Sequence, residues 1–239
     1  MDNRELLEKG IIEMGLIPTE AMVDDFFEFK TLLIEWNEKI NLTTITDDNE
    51  IIIKHFLDSL SCLKSNISFA NKRILDLGTG GGFPGIPLKI YDRSIRITLL
   101  DSLNKRISYL KLVGEALNFK NVEYLHSRAE DAAVDARHRE GYDIVVSRAV
   151  ANMSTLSEYC LPYVKIGGYF IAQKTLDALN EIREAEKAIG LLGGEVEQII
   201  EGSVPFSDLR HNLVLIRKVK PTPKDYPRKA GMPSKSPLK

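Results

Sequence analysis

Apolar residues in the N-terminal part of the chain recur at helical spacing. They return every three or four positions, with polar and charged residues between them, and no alternation of period two interrupts the pattern. We therefore predict a helical extension over residues 1–66. The positions that define the pattern are Leu6, Leu7, Ile11, Met14, Phe26, Phe27, Phe29, Leu32, Leu33 and Trp36.

From Arg73 onward the pattern changes to short runs of Ile, Leu and Val that alternate with amphipathic stretches. This alternation is typical of βα units around a mostly parallel sheet. The predicted strands are 73–78, 96–101, 122–126, 142–147, 168–173, 195–202 and 212–219, and the predicted helices are 84–91, 103–118, 152–161 and 175–190. No helix separates the last two strands, which indicates an antiparallel pair at the end of the sheet. The predicted fold is an α/β domain over residues 67–220 with a mostly parallel seven-stranded sheet.

The last residues, 221–239, are rich in Pro and Lys and contain a single acid, Asp225. Proline lacks a backbone N–H and fixes its own φ, so we predict neither a regular helix nor a strand here. Two interpretations stay open: a disordered terminus, or an ordered basic arm that binds phosphates.

Composition narrows the class of protein. The 239 residues are 44% hydrophobic and 28% charged, as in a soluble globular domain, and the net charge of −2 argues against a protein that coats nucleic acid with its whole surface. The two cysteines, Cys62 and Cys160, have neither zinc-site nor disulfide-framework spacing. No stretch approaches the roughly 20 apolar residues of a membrane span. We expect a cytoplasmic protein without a metal site and outside the membrane.

A glycine-rich loop follows the first predicted strand, in the stretch Ile74-Leu-Asp-Leu-Gly-Thr-Gly-Gly-Gly-Phe-Pro-Gly-Ile-Pro-Leu-Lys-Ile90. Such a loop lies at the carboxyl edge of an α/β sheet, where ligands bind. A triphosphate loop would end in Lys followed by Ser or Thr, and this loop does not. The dinucleotide spacing G-x-G-x-x-G is matched by Gly80, Gly82 and Gly85, but a loop with this many glycines offers several registers at once.

Another register begins with Asp76 and continues through Gly78, Gly80 and Gly82. A carboxylate in that position is unfavourable beside a pyrophosphate and favourable beside an ammonium or a sulfonium. S-adenosylmethionine carries both cations. Asp101 ends the second strand and can accept hydrogen bonds from ribose hydroxyls, and the acids that follow the third strand in Ser127-Arg-Ala-Glu-Asp131 can face an adenine.

Several stretches resemble one family of enzymes, the bacterial small-subunit ribosomal RNA guanine-N7 methyltransferase G family, also called glucose-inhibited division protein B. These stretches are Asn41-Leu-Thr43, His55-Phe-Leu-Asp-Ser-Leu60, Gly78-Thr-Gly-Gly-Gly-Phe-Pro-Gly-Ile-Pro-Leu-Lys89, Ser147-Arg-Ala-Val-Ala151 and Tyr226-Pro-Arg-Lys-Ala-Gly-Met-Pro233. The resemblance covers essentially the whole chain, and its most specific piece is the loop Phe-Pro-Gly-Ile-Pro.

The resemblance implies a Rossmann-like class I methyltransferase that transfers a methyl group from S-adenosylmethionine to N7 of one guanine in 16S ribosomal RNA. The cofactor contacts it implies are Gly78, Phe83, Ala129, Glu130 and Arg148. Asp76, Gly80 and Asp101 join this set from position and chemistry. Arg148 is open to three roles: a contact to the cofactor, a contact to guanine, or a salt bridge to a neighbouring acid.

The acceptor atom can be tested against the residues that each reaction needs. Methylation of cytosine C5 needs a cysteine nucleophile, and neither cysteine is well placed; methylation of adenine N6 commonly uses an Asn/Asp-Pro-Pro-aromatic stretch where this chain has Ser147-Arg-Ala-Val150. Guanine N7 carries a lone pair and no proton, so it needs orientation rather than a base. Ribose methylation with Lys174 as the base stays open, as do an ion pair or an RNA phosphate contact for Lys174.

An RNA substrate needs a cationic surface near the site. The predicted RNA-binding residues are Lys174, Arg210, Lys218, Lys220, Arg228 and Lys229, and either Tyr226 or Phe83 can stack on a base. The expected partner is small-subunit ribosomal RNA or the 30S particle, and the expected state is a monomer.

Two hypotheses from other classes remain. One is a dehydrogenase that uses a nicotinamide cofactor, and the other is a non-catalytic RNA-binding factor with a vestigial pocket. The residues alone leave open which guanine is modified and whether the acceptor is free RNA or an assembled particle.

Overall fold

The computed structural model describes residues 1–148, 151–176 and 178–238. Seven strands form one sheet in the order β3-β2-β1-β4-β5-β7-β6. All neighbouring strands are parallel except those that pair with β7, which runs antiparallel to β5 and β6. The predicted mostly parallel sheet and its antiparallel pair are confirmed. The strands are β1 (Arg73–Leu77), β2 (Arg96–Asp101), β3 (Val122–His126), β4 (Tyr142–Arg148), β5 (Val164–Thr175), β6 (Gly194–Ser203) and β7 (Arg210–Lys218).

The helices lie in the N-terminal extension, between the strands and after β7. They are α1 (Asn3–Glu13), α2 (Glu20–Ile40), α3 (Asp48–Ile51), α4 (Asp58–Leu60), α5 (Gly85–Tyr91), α6 (Asn104–Ala116), α7 (Ala129–Ala132), α8 (Met153–Cys160), α9 (Ala178–Leu191) and α10 (Met232–Lys235). A π-helical segment spans Ile52–Leu57, and 3-10 segments span Ser61–Ser65 and Leu161–Tyr163. The helices α5, α6, α8 and α9 begin and end within three residues of the predicted bounds.

Strand β5 begins earlier than predicted. The expected start was residue 168, yet the strand already begins at Val164. The pairing of β4 with β5 shifts register between Tyr142 and Ile144, and Gly167 has a φ of +82° in this irregularity. A bulge therefore carries the strand through the glycines without ending it.

Two hydrophobic layers cover the two faces of the sheet. Ile74 and Val146 pack beneath α5, α6 and the N-terminal helices. Their neighbours Leu75 and Val145 point to the opposite face and pack beneath α7, α8 and α9. Burial on both faces explains the continuous apolar runs of these strands.

The N-terminal helices pack onto the sheet through aromatic side chains. Phe56 lies between Phe26 and Phe29, with ring centroids 5.0 and 5.5 Å apart, and Phe29 also lies 5.5 Å from Phe83 of the glycine loop. All four rings are buried. The extension thus shares one hydrophobic core with β1 and β2. Within the described ranges, no helix combines the length and the apolar character that a membrane crossing requires.

The C-terminal segment, residues 221–238, is ordered against the domain. Arg139 donates hydrogen bonds of 2.9 Å to the carbonyl oxygens of Thr222 and Tyr226, and Pro233 is buried. The expectation of no regular structure here was wrong at one place, because Met232–Lys235 forms a single helical turn. Side chains of the domain satisfy the backbone of this proline-rich segment in place of a helix or sheet.

Replacing Phe56 with Ala should lower the free energy of unfolding by about 3–5 kcal/mol, because a buried ring is lost and a cavity remains. Phe206→Ala is the control, since Phe206 is 42% exposed, and should change it by less than about 0.5 kcal/mol. Guanidinium titration followed by Trp36 fluorescence and by far-ultraviolet circular dichroism measures both variants. Separate transitions for the two signals would contradict a shared core.

Candidate active site

The loop after β1 is built around the buried carboxylate of Asp76. Asp76 Oδ2 accepts hydrogen bonds from Thr79 Oγ1 at 2.7 Å and from the Gly85 N–H at 2.8 Å. The other oxygen, Oδ1, is buried and has no hydrogen-bond partner among the described residues. Burial raises the pKa of Asp76 to about 6 against the opposing effect of these hydrogen bonds. The carboxylate is therefore ionised at neutral pH with one oxygen unmatched.

Backbone N–H groups of the loop already have acceptors. Those of Gly78 and Thr79 donate to Leu100 O at 2.9 and 3.1 Å, and those of Gly82 and Phe83 donate to Thr79 O at 2.8 and 2.9 Å. A loop that cradles phosphates must direct free N–H groups at the anion. The geometry of this loop is therefore unsuited to a pyrophosphate.

Two glycines of the dinucleotide spacing serve the packing of the loop itself. A Cβ at Gly85 would come within 2.6 Å of Asp76 Oδ2 and of Leu99 Cδ2. Gly82 has a φ of +99°, and a Cβ there would lie 2.6 Å from Ile86 Cγ1. The match to the dinucleotide spacing thus follows from how the loop folds.

Asp101 at the end of β2 connects the loop to α6. Its Oδ2 accepts from the Gly80 N–H at 3.0 Å and from Arg106 Nη1 at 3.3 Å, and its Oδ1 accepts from the Leu103 N–H at 2.9 Å. These bonds show Asp101 as a group that holds the loop in place. A contact to ribose stays a prediction.

A cavity of about 420 Å³, here called the β1–β3 cavity, opens beyond the carboxyl ends of β1, β2 and β3. Three of the predicted cofactor residues, Gly78, Ala129 and Glu130, lie in its wall, and Asp76 and Asp101 are chain neighbours of wall residues. Phe83 and Arg148 are not among its lining residues. The wall consists of Leu77, Gly78, Leu100, Ser102, Leu103, Ser127, Arg128, Ala129, Glu130, Tyr159, Gly231 and Ser234.

Arg148 at the end of β4 binds the N-terminal extension. Its Nη1 donates to Asp58 Oδ2 at 2.7 Å and to Lys54 O at 3.0 Å, and its Nη2 lies 3.0 Å from His55 Nδ1. Burial and the positive charge of Arg148 lower the pKa of His55 to about 3, so His55 is neutral. The neutral ring accepts from Arg148 at Nδ1 and therefore donates from Nε2 to Thr43 Oγ1, 2.8 Å away. Of the three roles open to Arg148, the structure shows the salt bridge.

Phe83 packs within this same cluster. Its ring stacks on His55 at a centroid distance of 4.3 Å, and the Arg148 guanidinium lies over it at 5.1 Å. Phe83 is buried, so a base cannot stack on it in this conformation. In this structure Phe83 packs beneath the site, and its ring supports the guanidinium of Arg148.

A second cavity of about 360 Å³, the β4–β7 cavity, lies where β4 and β5 end and β7 begins. Burial alone raises the pKa of Asp58, but its hydrogen bond to His211 and the charge of Arg148 outweigh burial and hold the pKa below its usual range. His211 Nδ1 lies 3.1 Å from Asp58 Oδ1. The lining residues are Ile45, Lys54, Asp58, Arg148, Gln173, Lys174, Thr175, Leu209, Arg210 and His211.

Gln173 is a polar residue of this cavity that sequence reasoning missed. Its Nε2 donates to Asp58 O at 2.8 Å and to Ser61 Oγ at 3.0 Å. The backbone carbonyl of Asp58 can only accept, so the side-chain NH2 of Gln173 and not its oxygen must face it, which fixes the orientation of the amide. Its Oε1 is buried without a partner in the part of the chain that the structure describes. A strand residue whose partners are about 110 positions away in the chain leaves no local signal.

The predicted RNA-binding residues fall into two groups. Lys174 and Arg210 line the β4–β7 cavity, where Lys174 pairs with Glu181 at 2.7 Å and Arg210 pairs with Glu201 at 3.2 Å. Lys220 and Lys229 are exposed. Their contacts to RNA stay predictions. The ion pair of Lys174 is one of the roles left open above.

Burial contradicts the prediction for Lys218, and an ion pair inside the fold occupies Arg228. Lys218 is wholly buried, and its ammonium donates to Leu161 O at 2.7 Å and lies 3.4 Å from Glu140 Oε1, so RNA cannot reach it. Arg228 donates from Nε and Nη2 to the buried carboxylate of Glu158 at 2.9 and 2.6 Å, which commits its guanidinium to the fold. Residues 149 and 150, within the predicted Ser147–Ala151 motif, lie outside the described residues.

Cys62 and Cys160 are buried, and burial raises the pKa of both thiols above the ordinary value. Neither lines the two cavities. Among the described residues, no group of three or more His, Cys, Asp and Glu side chains is arranged to hold a metal ion.

Solved structures share the fold of this chain. A SAM dependent methyltransferase from Aquifex aeolicus superposes with a TM-score of 0.54 at 16% identity, covering 74% of this chain and 96% of that chain. M. jannaschii TYW2 in complex with AdoMet superposes with a TM-score of 0.50 at 15% identity, covering 66% and 74%. These similarities show that the chain shares its Rossmann-like α/β fold with S-adenosylmethionine-dependent methyltransferases.

The family follows from sequence relatives. Residues 22–211 match the model of the GidB family, rRNA small subunit methyltransferase G. Ribosomal RNA small subunit methyltransferase G of Alkaliphilus metalliredigens is 48% identical over 239 residues, covering 100% of both chains. Its counterpart from Clostridium botulinum (strain Eklund 17B / Type B) is 51% identical over 235 residues, covering 98% of both. The chain belongs to the rRNA small subunit methyltransferase G family, and neither the dehydrogenase nor the non-catalytic hypothesis is favoured.

The β1–β3 cavity fits S-adenosylmethionine in the chemistry of its residues. Asp76 is the chain neighbour of Leu77 in the wall, and its buried Oδ1 has no hydrogen-bond partner among the described residues. A nearby cation favours such an ionised oxygen. Gly78 has a φ of +72° and lets the backbone come close to a ligand. Glu130 brings a carboxylate to the cavity wall, and its contact to adenine stays a prediction. The cofactor supplies the reactive methyl group, and the protein supplies its position and the electrostatic environment.

Cofactor affinity should depend on the charge of Asp76. Because a bound cation favours the ionised carboxylate, affinity should be constant above the pKa of about 6 and should fall by up to about tenfold per pH unit below it. Asp76→Asn keeps an acceptor for Thr79 and Gly85, so it should bind weakly with no such change near pH 6. Calorimetric titration of S-adenosylmethionine between pH 5 and pH 8 measures both. Wild-type affinity in Asp76→Asn would show that Asp76 only shapes the loop.

Proposed function

We propose that this chain transfers the methyl group of S-adenosylmethionine to N7 of a guanine in small-subunit ribosomal RNA. The cofactor occupies the β1–β3 cavity, and the guanine enters the β4–β7 cavity. The names of the family and of its relatives support ribosomal RNA as the substrate. The observation that carries the assignment of the guanine is a second cavity at the same carboxyl edge of the sheet, beside Arg148.

The β4–β7 cavity suits a flipped-out base. Ile45 and Leu209 give it apolar walls against which a flat ring can pack, and Lys174 and Arg210 stand at its edge as donors. Guanine presents acceptors at N7 and O6 and donors at N1 and N2. Gln173 Oε1 is a buried acceptor without a described partner, and it matches the donors on the Watson–Crick edge.

Transfer to N7 asks this chain for orientation alone. The lone pair of N7 lies in the plane of the ring and carries no proton, so no base has to remove one. The ion pair of Arg148 with Asp58 and the contact of Arg148 with neutral His55 keep this part of the cavity wall rigid. A rigid wall keeps the reacting atoms in line, and proximity and alignment supply a large part of the rate.

RNA outside the cavity meets a smaller set of cations than the sequence predicts. With Lys218 and Arg228 committed to the fold, we assign phosphate contacts to Lys174, Arg210, Lys220 and Lys229. Because exposed cations act on phosphates through screened charge, binding should weaken as salt rises.

Incubation with tritiated S-adenosylmethionine should label small-subunit ribosomal RNA at N7 of guanine. Free RNA, 30S particles and 70S ribosomes are the three substrates to compare, and cleavage chemistry specific for N7-methylguanine locates the label. Gly78→Val should abolish labelling, because a β-branched residue is strained at a positive φ. Label on a ribose or another base would overturn the N7 assignment. If protein that binds the cofactor labels none of the substrates, the assignment as a methyltransferase would be overturned.

Replacing Lys174 with Met should separate N7 transfer from ribose methylation. Loss of a general base costs about 10²–10⁴-fold in rate, whereas we expect kcat to fall less than about tenfold here. Glu181→Gln is the control, since it removes the acid that pairs with Lys174 and leaves the ammonium in place. Single-turnover rates at saturating RNA measure both variants. A loss of three orders of magnitude in Lys174→Met alone would assign it the role of base.

A further inference from the structure

The C-terminal segment touches the cofactor cavity with its backbone and one small side chain. Gly231 and Ser234 line the β1–β3 cavity beside Tyr159 of α8. The segment was expected to be a disordered tail or an arm for phosphates, and neither interpretation places it against the cofactor. The segment therefore forms part of the wall of this cavity.

We propose that the C-terminal segment is part of the S-adenosylmethionine-binding site, where it walls the adenine end of the cavity and sets the position of Glu130. This inference rests on the placement of the cofactor in the β1–β3 cavity.

Glu130 connects the segment to the site. Its Oε1 accepts a hydrogen bond of 2.8 Å from the Gly231 N–H, and its carboxylate is buried. A backbone donor from the segment therefore orients the acid that faces the adenine. Gly231 has a φ of +83°, which a glycine adopts without strain, and this conformation aims its N–H at Glu130.

An ion pair holds the segment in register. The Glu158 carboxylate is wholly buried and accepts hydrogen bonds from three donor groups of Arg228: the backbone N–H at 2.8 Å, Nε at 2.9 Å and Nη2 at 2.6 Å. Thr155 Oγ1 donates to Pro233 O at 3.1 Å further along. Both anchors lie on α8, so the turn that carries Gly231 and Ser234 has a fixed position over the cavity.

Order in the segment and binding of the cofactor must then favour each other. A wall that stabilises the bound cofactor is itself stabilised by the cofactor to the same extent, because linkage is reciprocal. Amide hydrogen exchange at residues 229–235 reports the order of the segment directly, and it needs no catalytic turnover.

The first measurement is the dissociation constant of S-adenosylmethionine for the full-length wild type, Ser234→Tyr and the matched control Lys235→Tyr. We expect Ser234→Tyr to weaken binding at least tenfold, because its ring fills the cavity. Lys235 is exposed and lies outside the cavity wall, so Lys235→Tyr should bind within twofold of wild type. Equal affinity in all three would overturn the inference.

The second measurement is hydrogen exchange of the wild-type chain with and without S-adenosylmethionine. We expect exchange at residues 229–235 to slow at least tenfold when the cofactor is bound. Unchanged exchange in a protein that binds the cofactor would overturn the inference and leave the proposed function intact. A wild-type chain that binds no S-adenosylmethionine would overturn both. Weaker RNA binding in Ser234→Tyr with unchanged cofactor affinity would make the segment an RNA arm instead, which also overturns the inference.

Discussion

The β4–β7 cavity, in which we place the guanine, depends on the largely buried ion pair between Arg148 and Asp58. The two residues lie 90 positions apart, and their side chains are 17% and 15% exposed. Removing one partner of such a pair leaves a buried charge unmatched, which costs about 3–5 kcal/mol. The pair fixes the N-terminal extension to the end of β4, and His211 extends it to β7. The β4–β7 cavity exists because three distant parts of the chain are fastened at this point.

The loop beside the β1–β3 cavity depends on a different carboxylate. Asp76 is buried at the end of β1, and the glycine loop folds around it, with Gly85 close enough that a side chain would collide with the carboxylate. N–H groups of the loop donate to Leu100 O, to Thr79 O and to the carboxylates of Asp76 and Asp101, so these groups are not free to bind a phosphate. A carboxylate whose pKa lies near 6 is ionised at neutral pH, and a sulfonium ligand is the counterpart that such a charge favours.

The features that could be predicted from the sequence are those that depend on the spacing of apolar residues and on the topology of the sheet. Strand and helix positions follow from apolar spacing, and the carboxyl edge of the sheet brings the ends of β1, β2 and β3 together without knowledge of any side-chain contact. Pairings between distant residues leave no such signal. Lys218 sits beside Arg217 in the chain and looked like part of a cationic cluster, yet alternation along β7 turns one outward and the other inward. Glu140, the carboxylate 3.4 Å from the buried Lys218 ammonium, lies far away in the chain and cannot be identified from the sequence around Lys218.

The basic C-terminal segment shows how composition misleads about function. Its cations divide between two tasks: Arg228 neutralises a carboxylate inside the fold, while its neighbour Lys229 remains exposed. Arg139 donates hydrogen bonds to carbonyl oxygens of the segment. The segment is therefore ordered even though its prolines prevent long regular structure. A basic residue of this segment can contact RNA only if its charge is not already used in an ion pair inside the fold. Net charge near zero is therefore compatible with an RNA substrate, since RNA responds to the local charge beside the cavity and not to the charge of the whole chain.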